Sequence, residues 1–198
     1  MPVRTKIPVY DGVFFVTLTC CDWLNLFELA DSHDAVYRWF DFLKIKGHHI
    51  VGYVIMPNHL HCLLAFRNTN GQLINKIVGN GKRFMAYHIV DKLKKSKRDD
   101  ILQSLSEKVS VGGRAGNKRH EVFEPSFDWK ECYSEKFFEQ KLSYIHQNPC
   151  KGKWNLVEEY WMYTHSSAKY YVTGIQGIYP VTHFNELQDI DLTVASRE

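Results

Sequence analysis

Residues 50–66 read Ile50-Val51-Gly52-Tyr53-Val54-Ile55-Met56-Pro57-Asn58-His59-Leu60-His61-Cys62-Leu63-Leu64-Ala65-Phe66. Two apolar, strand-type runs meet at a Pro-Asn break. That pattern predicts a β-hairpin with strands over 50–56 and 59–66. A hairpin at the centre of the chain argues against a doubly wound parallel sheet, where helices join consecutive strands.

Working outward, Val13 to Thr19 (VFFVTLT) is β-branched and aromatic and predicts another strand. Between it and the hairpin, Val36, Trp39, Phe40 and Leu43 recur at helical spacing. This predicts a helix capped by Asp31 or Ser32, running to about Lys46 and stopped by Gly47. Beyond the hairpin, Gln72 to about Ser96 predicts a long helix, with Leu73, Ile77, Phe84, Ile89 and Leu93 on its apolar side. Gly79-Asn80-Gly81 interrupts that pattern. Residues 110–120 (SVGGRAGNKRH) read as a flexible basic loop. Phe127 to Tyr133 predicts a strand, and Ser134 caps a helix through Asn148, with Pro149 at its exit. The order strand, helix, strand, strand, helix, strand, helix is that of an α+β protein. It implies a ferredoxin-like split βαβ arrangement with an antiparallel sheet and helices packed on it.

Length and composition set the frame. The chain has 198 residues, 44% of them hydrophobic, which fits one domain spanning 1–184 with a basic loop near 108–120. Residues 185–198 are acidic and read as a mobile tail. No run of 18 apolar residues exists, and Met1 to Lys6 lacks an apolar signal core. No membrane span, no secretion and a cytoplasmic location are therefore expected. Five cysteines without a CxxC pair read as reduced thiols rather than a disulfide framework or a zinc site. There is no Walker A motif, no GxGxxG and no GxSxG, so no nucleotide cofactor is expected. Net charge is only +3, yet residues 76–119 alone carry +8, leaving −5 for the remainder. Such a run reads either as a solvated helix face or as a contact for a nucleic-acid backbone. Its candidate DNA-binding cations are Lys82, Arg83, Lys94, Lys95, Lys97, Arg98, Arg114, Lys118 and Arg119.

Two patterns bear on chemistry. His59 and His61 flank Leu60 in a strand, so the period of two puts both imidazoles on one sheet face. Two readings fit: a pair of hydrogen-bonded strand histidines, or two ligands of one cation. Tyr144 and Asn148 stand at i and i+4 on one helical flank, with Lys141 and Phe137 nearby. A tyrosine there is usually a structural anchor. His48 and His49 begin a strand and read as structural, while His146 turns about 100° from Tyr144 and reads as a rim or DNA contact. His120, His165 and His183 carry no spacing signal.

The segments Met56-Pro57-Asn58-His59-Leu60-His61 and Tyr144-Ile145-His146-Gln147-Asn148-Pro149 together resemble the REP-associated tyrosine transposases. These belong to the HUH single-tyrosine transposases of insertion sequences that move as single-stranded DNA. Trp129 ahead of the tyrosine helix, and Tyr163-Thr164-His165-Ser166-Ser167 with Tyr170 after it, extend the likeness from about Tyr10 to Tyr171. The chain departs from the pattern after Asn-Pro, where Cys150-Lys151-Gly152-Lys153 follows, and across residues 99–126.

The resemblance implies an HUH endonuclease fold and a metal-dependent strand transferase. His59, His61 and Asn148 would form the metal site and Tyr144 would be the nucleophile. Single-stranded DNA at a hairpin or repeat would be cut through a 5′-phosphotyrosine and later rejoined. A free tyrosine ionises near pH 10, so attack at neutral pH needs help, which a divalent cation can give. Two imidazoles and an amide oxygen suit Mn²⁺, or Mg²⁺ if phosphate fills the shell. Covalent catalysis conserves the phosphodiester energy, so no ATP is required. The alternatives are a non-cleaving, domesticated hairpin-binding protein and an HUH nuclease of the replication-initiator type. The resemblance leaves open a homodimer that shares its tyrosine helices.

Overall fold

The computed structural model describes residues 11–67 and 73–188. Four strands form one antiparallel sheet in the order β2-β3-β1-β4: β1 (Gly12–Thr19), β2 (His49–Met56), β3 (His59–Phe66) and β4 (Asp128–Glu131). This is the split βαβ order expected from the element pattern, because β3 inserts between β1 and β2. The hairpin is in place, with Met56 opposite His59. β3 also pairs with β1 along its whole length, from Gly12 opposite Phe66 to Thr19 opposite His59.

Among the described residues, seven α-helical segments accompany the sheet. α1 (Leu26–Leu29) and α2 (His33–Ile45) lie between β1 and β2. α3 (Ile74–Lys95), α4 (Asp99–Glu107) and α5 (Val111–Ala115) lie between β3 and β4. α6 (Glu135–Gln147) and α7 (Ala168–Thr173) follow. The sheet alternation sends Phe14, Val16, Leu18, Leu60, Cys62, Leu64 and Phe66 to the face covered by α2 and α3, where the larger core forms. Phe15, Leu63 and Ala65 face the other way and meet Phe138, Leu142 and Ile145 of α6. A register shift between Ile50 and Gly52 places Val51 and Gly52 both on the α6 side.

The long helix expected up to about Ser96 is α3, which runs unbroken for 22 residues although Gly79-Asn80-Gly81 interrupts its apolar periodicity. Gly81 is a packing notch: a Cβ there would stand 2.4 to 2.7 Å from the Trp39 indole of α2. The stretch read as a loop at 110–120 contains α5, capped by Ser110 Oγ, which accepts from Gly113 N–H. Ahead of it, α4 was not expected; it buries Ile101, Leu102 and Leu105. The expected helix start at Gln72 lies outside the described residues. At the other end, Phe184–Gln188 form a 3-10 turn, with Phe184 and Leu187 packed on the α6 side. The docked chain thus extends through Gln188, and 189–198 lies outside the described residues.

The two α3 glycines give opposed expectations. Nothing lies within 4 Å of a Cβ at Gly79, so Gly79→Ala should stabilise by about 1 kcal/mol through helix propensity. Gly81→Ala gains the same propensity but collides with a rigid ring, and should destabilise by about 1–3 kcal/mol net. Urea unfolding of the two variants measures both.

Burial also holds several imidazoles neutral. It pushes His48, His146 and His165 down to about 4. Unfolded histidines take up a proton near pH 6.5, so between pH 6.5 and 4 the unfolded chain binds protons that the folded chain does not. Stability is full above pH 6.5 and falls as pH drops towards 4. The urea midpoint at pH 5 should be lower than at pH 7.5, with buried His48 alone contributing on the order of 1 kcal/mol.

Candidate active site

The site grows from the first residues of β3. His59 and His61 put both rings on the face covered by α6, with ring centroids 4.6 Å apart. Both are buried, at 5% and 6% exposure. Burial pushes His59 down to about 4, partly opposed by its hydrogen bond with Asn148. Burial likewise takes His61 well below the usual imidazole range, with His59 and Lys141 adding to the effect. Both rings are therefore neutral near pH 7, the state in which a ring nitrogen offers a lone pair to a metal.

Each ring is also oriented through Nδ1. Asn58 Nδ2 donates to the Trp23 carbonyl (3.0 Å), which fixes the amide's direction and turns Oδ1 towards His59. That oxygen stands 2.6 Å from His59 Nδ1 and can only accept, so Nδ1 carries the proton and Nε2 keeps its lone pair. His61 Nδ1 lies 2.8 Å from Thr17 Oγ1. Thr17 is directly opposite His61 in the β1–β3 register, so sheet pairing alone delivers the contact. Partners of this kind orient metal-binding histidines.

α6 brings the remaining groups. Ser134 Oγ caps it by accepting from Phe137 N–H, and its apolar stripe seats it on the sheet. A Cβ at Gly52 would come within 2.6 Å of Leu142 Cδ1, so the glycine allows this close approach. The Tyr144 ring then stands 5.3 Å from His61 and 6.0 Å from Phe15, edge-on to both. Tyr144 is 43% exposed, so a substrate can reach it. Asn148 begins a 3-10 turn directly after α6 and is buried. The Lys141 ammonium lies over the rings of Phe15, Phe137 and Tyr144, 5.0 to 5.8 Å from their centroids. His59, His61, Tyr144 and Asn148 therefore converge within a single chain.

A second cluster shows the contrast. Ligand atoms of Cys21, Asp22 and Glu124 lie within 4.8 Å of one another. Burial, with Asp22 adding to it, pushes the Cys21 thiol up to about 11, so it is protonated. Asp22 pairs with Lys108, and Glu124 Oε1 accepts from Asp22 N–H (3.0 Å). These groups are engaged in pinning the turn at 21–23, where Asp22 (φ 50°) and Trp23 (φ 57°) are both left-handed. Such residues cost about 1–3 kcal/mol each and need that support.

The nine basic candidates divide. Lys82, Arg83, Lys94, Lys118 and Arg119 line one groove of about 830 Å³, together with Tyr87 and His120. Lys95, Lys97, Arg98 and Arg114 are not part of it. Lys95 pairs with Asp91 at 2.7 Å and Arg98 with Asp100 at 3.1 Å. Arg114 donates to the Val109 and Ser106 carbonyls. Within the groove, Lys118 pairs with Glu121. Lys82 is turned inward and donates to the carbonyls of Glu124, Pro125 and Ser126; burial, with Lys118 nearby, lowers it to about 8. A smaller pocket of about 270 Å³ shares Glu124 and Phe127 with the groove and contains Thr17, the partner of His61.

Comparison of the whole chain with solved structures bears on the fold. A solved REP-associated tyrosine transposase bound to a REP hairpin superposes with a TM-score of 0.58, at 14% identity, covering 92% of each chain. The chain has the fold of that transposase. A provisionally assigned transposase from Deinococcus radiodurans R1 also aligns, with a TM-score of 0.43 and 20% identity, over 72% of this chain and 94% of that one. No protein-family model and no curated protein matches the sequence. Among the described residues, no helix is long and apolar enough to cross a membrane.

One sequence reading is corrected. His146 is not at a rim: it is 5% exposed, its Nε2 lies 2.9 Å from Ser167 Oγ, and its ring packs on Tyr171. Its i+4 spacing from Leu142 and i+8 from Phe138 places it on the core stripe, a signal already present in the sequence. Asn58, Thr17 and Trp23 were missed as orienting or flanking residues. For Asn58 the expected outcome is direct. Nitrogen-15 NMR at pH 7 should show His59 as the Nδ1–H tautomer, and Asn58→Ala should shift it towards the Nε2–H form.

Proposed function

We propose that the protein is a metal-dependent transposase that cuts and rejoins single-stranded DNA at hairpin or repeat sequences through a 5′-phosphotyrosine. The observation that carries this reading is the convergence of His59, His61, Asn148 and Tyr144 at one corner of the sheet. The transposase fold supports it. The solved relative was bound to a REP hairpin, which favours the same class of DNA for this chain.

The donor set fits a divalent cation. Two imidazoles are held neutral, both Nδ1 atoms are engaged by Asn58 and Thr17, and an amide side chain adjoins. His59, His61 and Asn148 would hold Mg²⁺ or Mn²⁺, which supplies charge stabilisation for the scissile phosphate. Tyr144 Oη attacks phosphorus, the bond to the 3′ oxygen breaks, and the phenolic proton reaches the departing oxygen through solvent. The products are a 5′-phosphotyrosine and a free 3′-OH. Rejoining reverses the step: a 3′-OH attacks the phosphotyrosine and the phenol is restored. Lys141 places a positive charge beside the ring where phenolate character develops. The basic groove is the natural seat for hairpin phosphates. Tyr144 meets its own histidines, so a second copy is not needed to complete the site.

End-labelled hairpin oligonucleotides with Mn²⁺ or Mg²⁺ test the proposal. The wild type should form a covalent adduct with the fragment 3′ of the cut, seen with the 3′ label, while the 5′-labelled fragment is released with a free 3′-OH; Tyr144→Phe should form no adduct. Asn58→Ala should weaken Mn²⁺ binding about 10- to 100-fold by calorimetry. An undiminished adduct with Tyr144→Phe overturns the proposal.

A further inference from the structure

Trp23 has no part in the chemistry above, yet the fold goes to some length to display it. Its indole is 60% exposed and its ring centroid stands 6.0 Å from that of His59. It sits in the strained left-handed turn described above, held on several sides. Trp23 N–H donates to the Cys20 carbonyl (3.0 Å), the Trp23 carbonyl accepts from Asn58, and Glu124 anchors Asp22. A well-supported strained turn that offers a large aromatic face to solvent beside a reactive centre is a place where a ligand ring stacks.

The indole also forms one wall of the 270 Å³ pocket, with Thr17, Thr19, Glu124, Phe127 and Asp128 among the others. Among the described residues, no lysine, arginine or histidine lines that pocket. Two carboxylates would repel a phosphate, but they accept hydrogen bonds from amino groups. Cytosine, adenine and guanine carry an exocyclic amine, whereas thymine offers only its ring N–H. An unpaired base can present that edge freely. Asp128 is exposed, and its backbone lies opposite Thr17 in the β1–β4 register, which ties this wall to the partner of His61.

We infer that Trp23 and this pocket form a base-recognition site. A nucleotide next to the scissile phosphate stacks on the indole and turns its edge to the Asp128 wall. The site thereby selects a base with an exocyclic amine over thymine at that position. This rests on reading the His59–His61–Tyr144 corner as a single-strand cleavage centre.

The test uses Mn²⁺-loaded full-length protein and hairpin oligonucleotides in which each unpaired nucleotide near the cut is replaced in turn. The replacements are an abasic site, thymine and the fluorescent base 2-aminopurine. At one position, the abasic change should slow adduct formation by the wild type about 10- to 100-fold. Trp23→Ala should slow the intact substrate by a similar factor and the abasic substrate no further, while Trp23→Phe retains most activity. Asp128→Asn should erase the discrimination against thymine. 2-Aminopurine at that position should be quenched on binding by the wild type and not by Trp23→Ala.

Three results overturn the inference: Trp23→Ala cutting the intact substrate at the wild-type rate, Trp23→Ala slowing intact and abasic substrates equally, or no position showing Trp23-dependent quenching. Quenching that depends on Trp23, without any adduct from the wild type, supports the base site and overturns the cleavage proposal. The two readings therefore fail separately.

Discussion

Every group at the candidate site depends on β3 being paired along both edges and covered on both faces, so that all eight of its residues are buried. Enclosure of that kind raises the cost of charge. It holds His59 and His61 neutral, and it makes their partners consequential, because a buried ring nitrogen without one would be destabilising. Asn58 answers this at the hairpin turn with both ends of its amide, one on His59 and one on Trp23. A single side chain thus sets a tautomer on one side and pins a strained loop on the other.

The second dependence is the seating of α6. Its Phe138, Leu142 and Ile145 stripe packs on the sheet face that carries the histidines, and the open space at Gly52 lets Leu142 come close. His146 continues the stripe and meets Ser167, whose Oγ also accepts from Tyr53 N–H. The segment after α6 is thereby stitched to β2, and Tyr163 and Tyr171 add hydroxyl bonds to the Ile55 and Val51 carbonyls. The residues after the tyrosine helix act as a brace that keeps the helix pressed on the sheet.

Much of this was legible in the sequence, for identifiable reasons. Strand alternation placed His59 and His61 on one face, and helical spacing placed Tyr144 and Asn148 on one flank, because both depend only on local periodicity. The strands, α2 and α6 followed from the same patterns. α4 was hidden because its short apolar stripe, Ile101, Leu102 and Leu105, sits inside a run of charges. The long α3 was legible despite its glycines, but the close approach at Gly81 was not, because only the facing Trp39 reveals it. Thr17 and Trp23 were out of reach: their roles come from neighbours 44 and 35 positions away, through Thr17–His61 and Trp23–Asn58 contacts. Sequence also could not show which of the candidate cations are turned inward, as Lys82 is.

The inward turn of Lys82 bears on how firmly the groove can hold a polyanion. Lys118 is likewise matched by Glu121, so of the groove cations only Arg83, Lys94 and Arg119 face it without a carboxylate or carbonyl partner among the described residues. Each phosphate neutralised on a duplex releases about 0.9 of a condensed counterion. Under the proposed function, a duplex seated in this groove would release only about three counterions, far fewer than the raw charge excess of the segment suggests. Its affinity would fall with salt less steeply than that excess implies. Shape and the unpaired bases, rather than charge density, would then separate one hairpin from another.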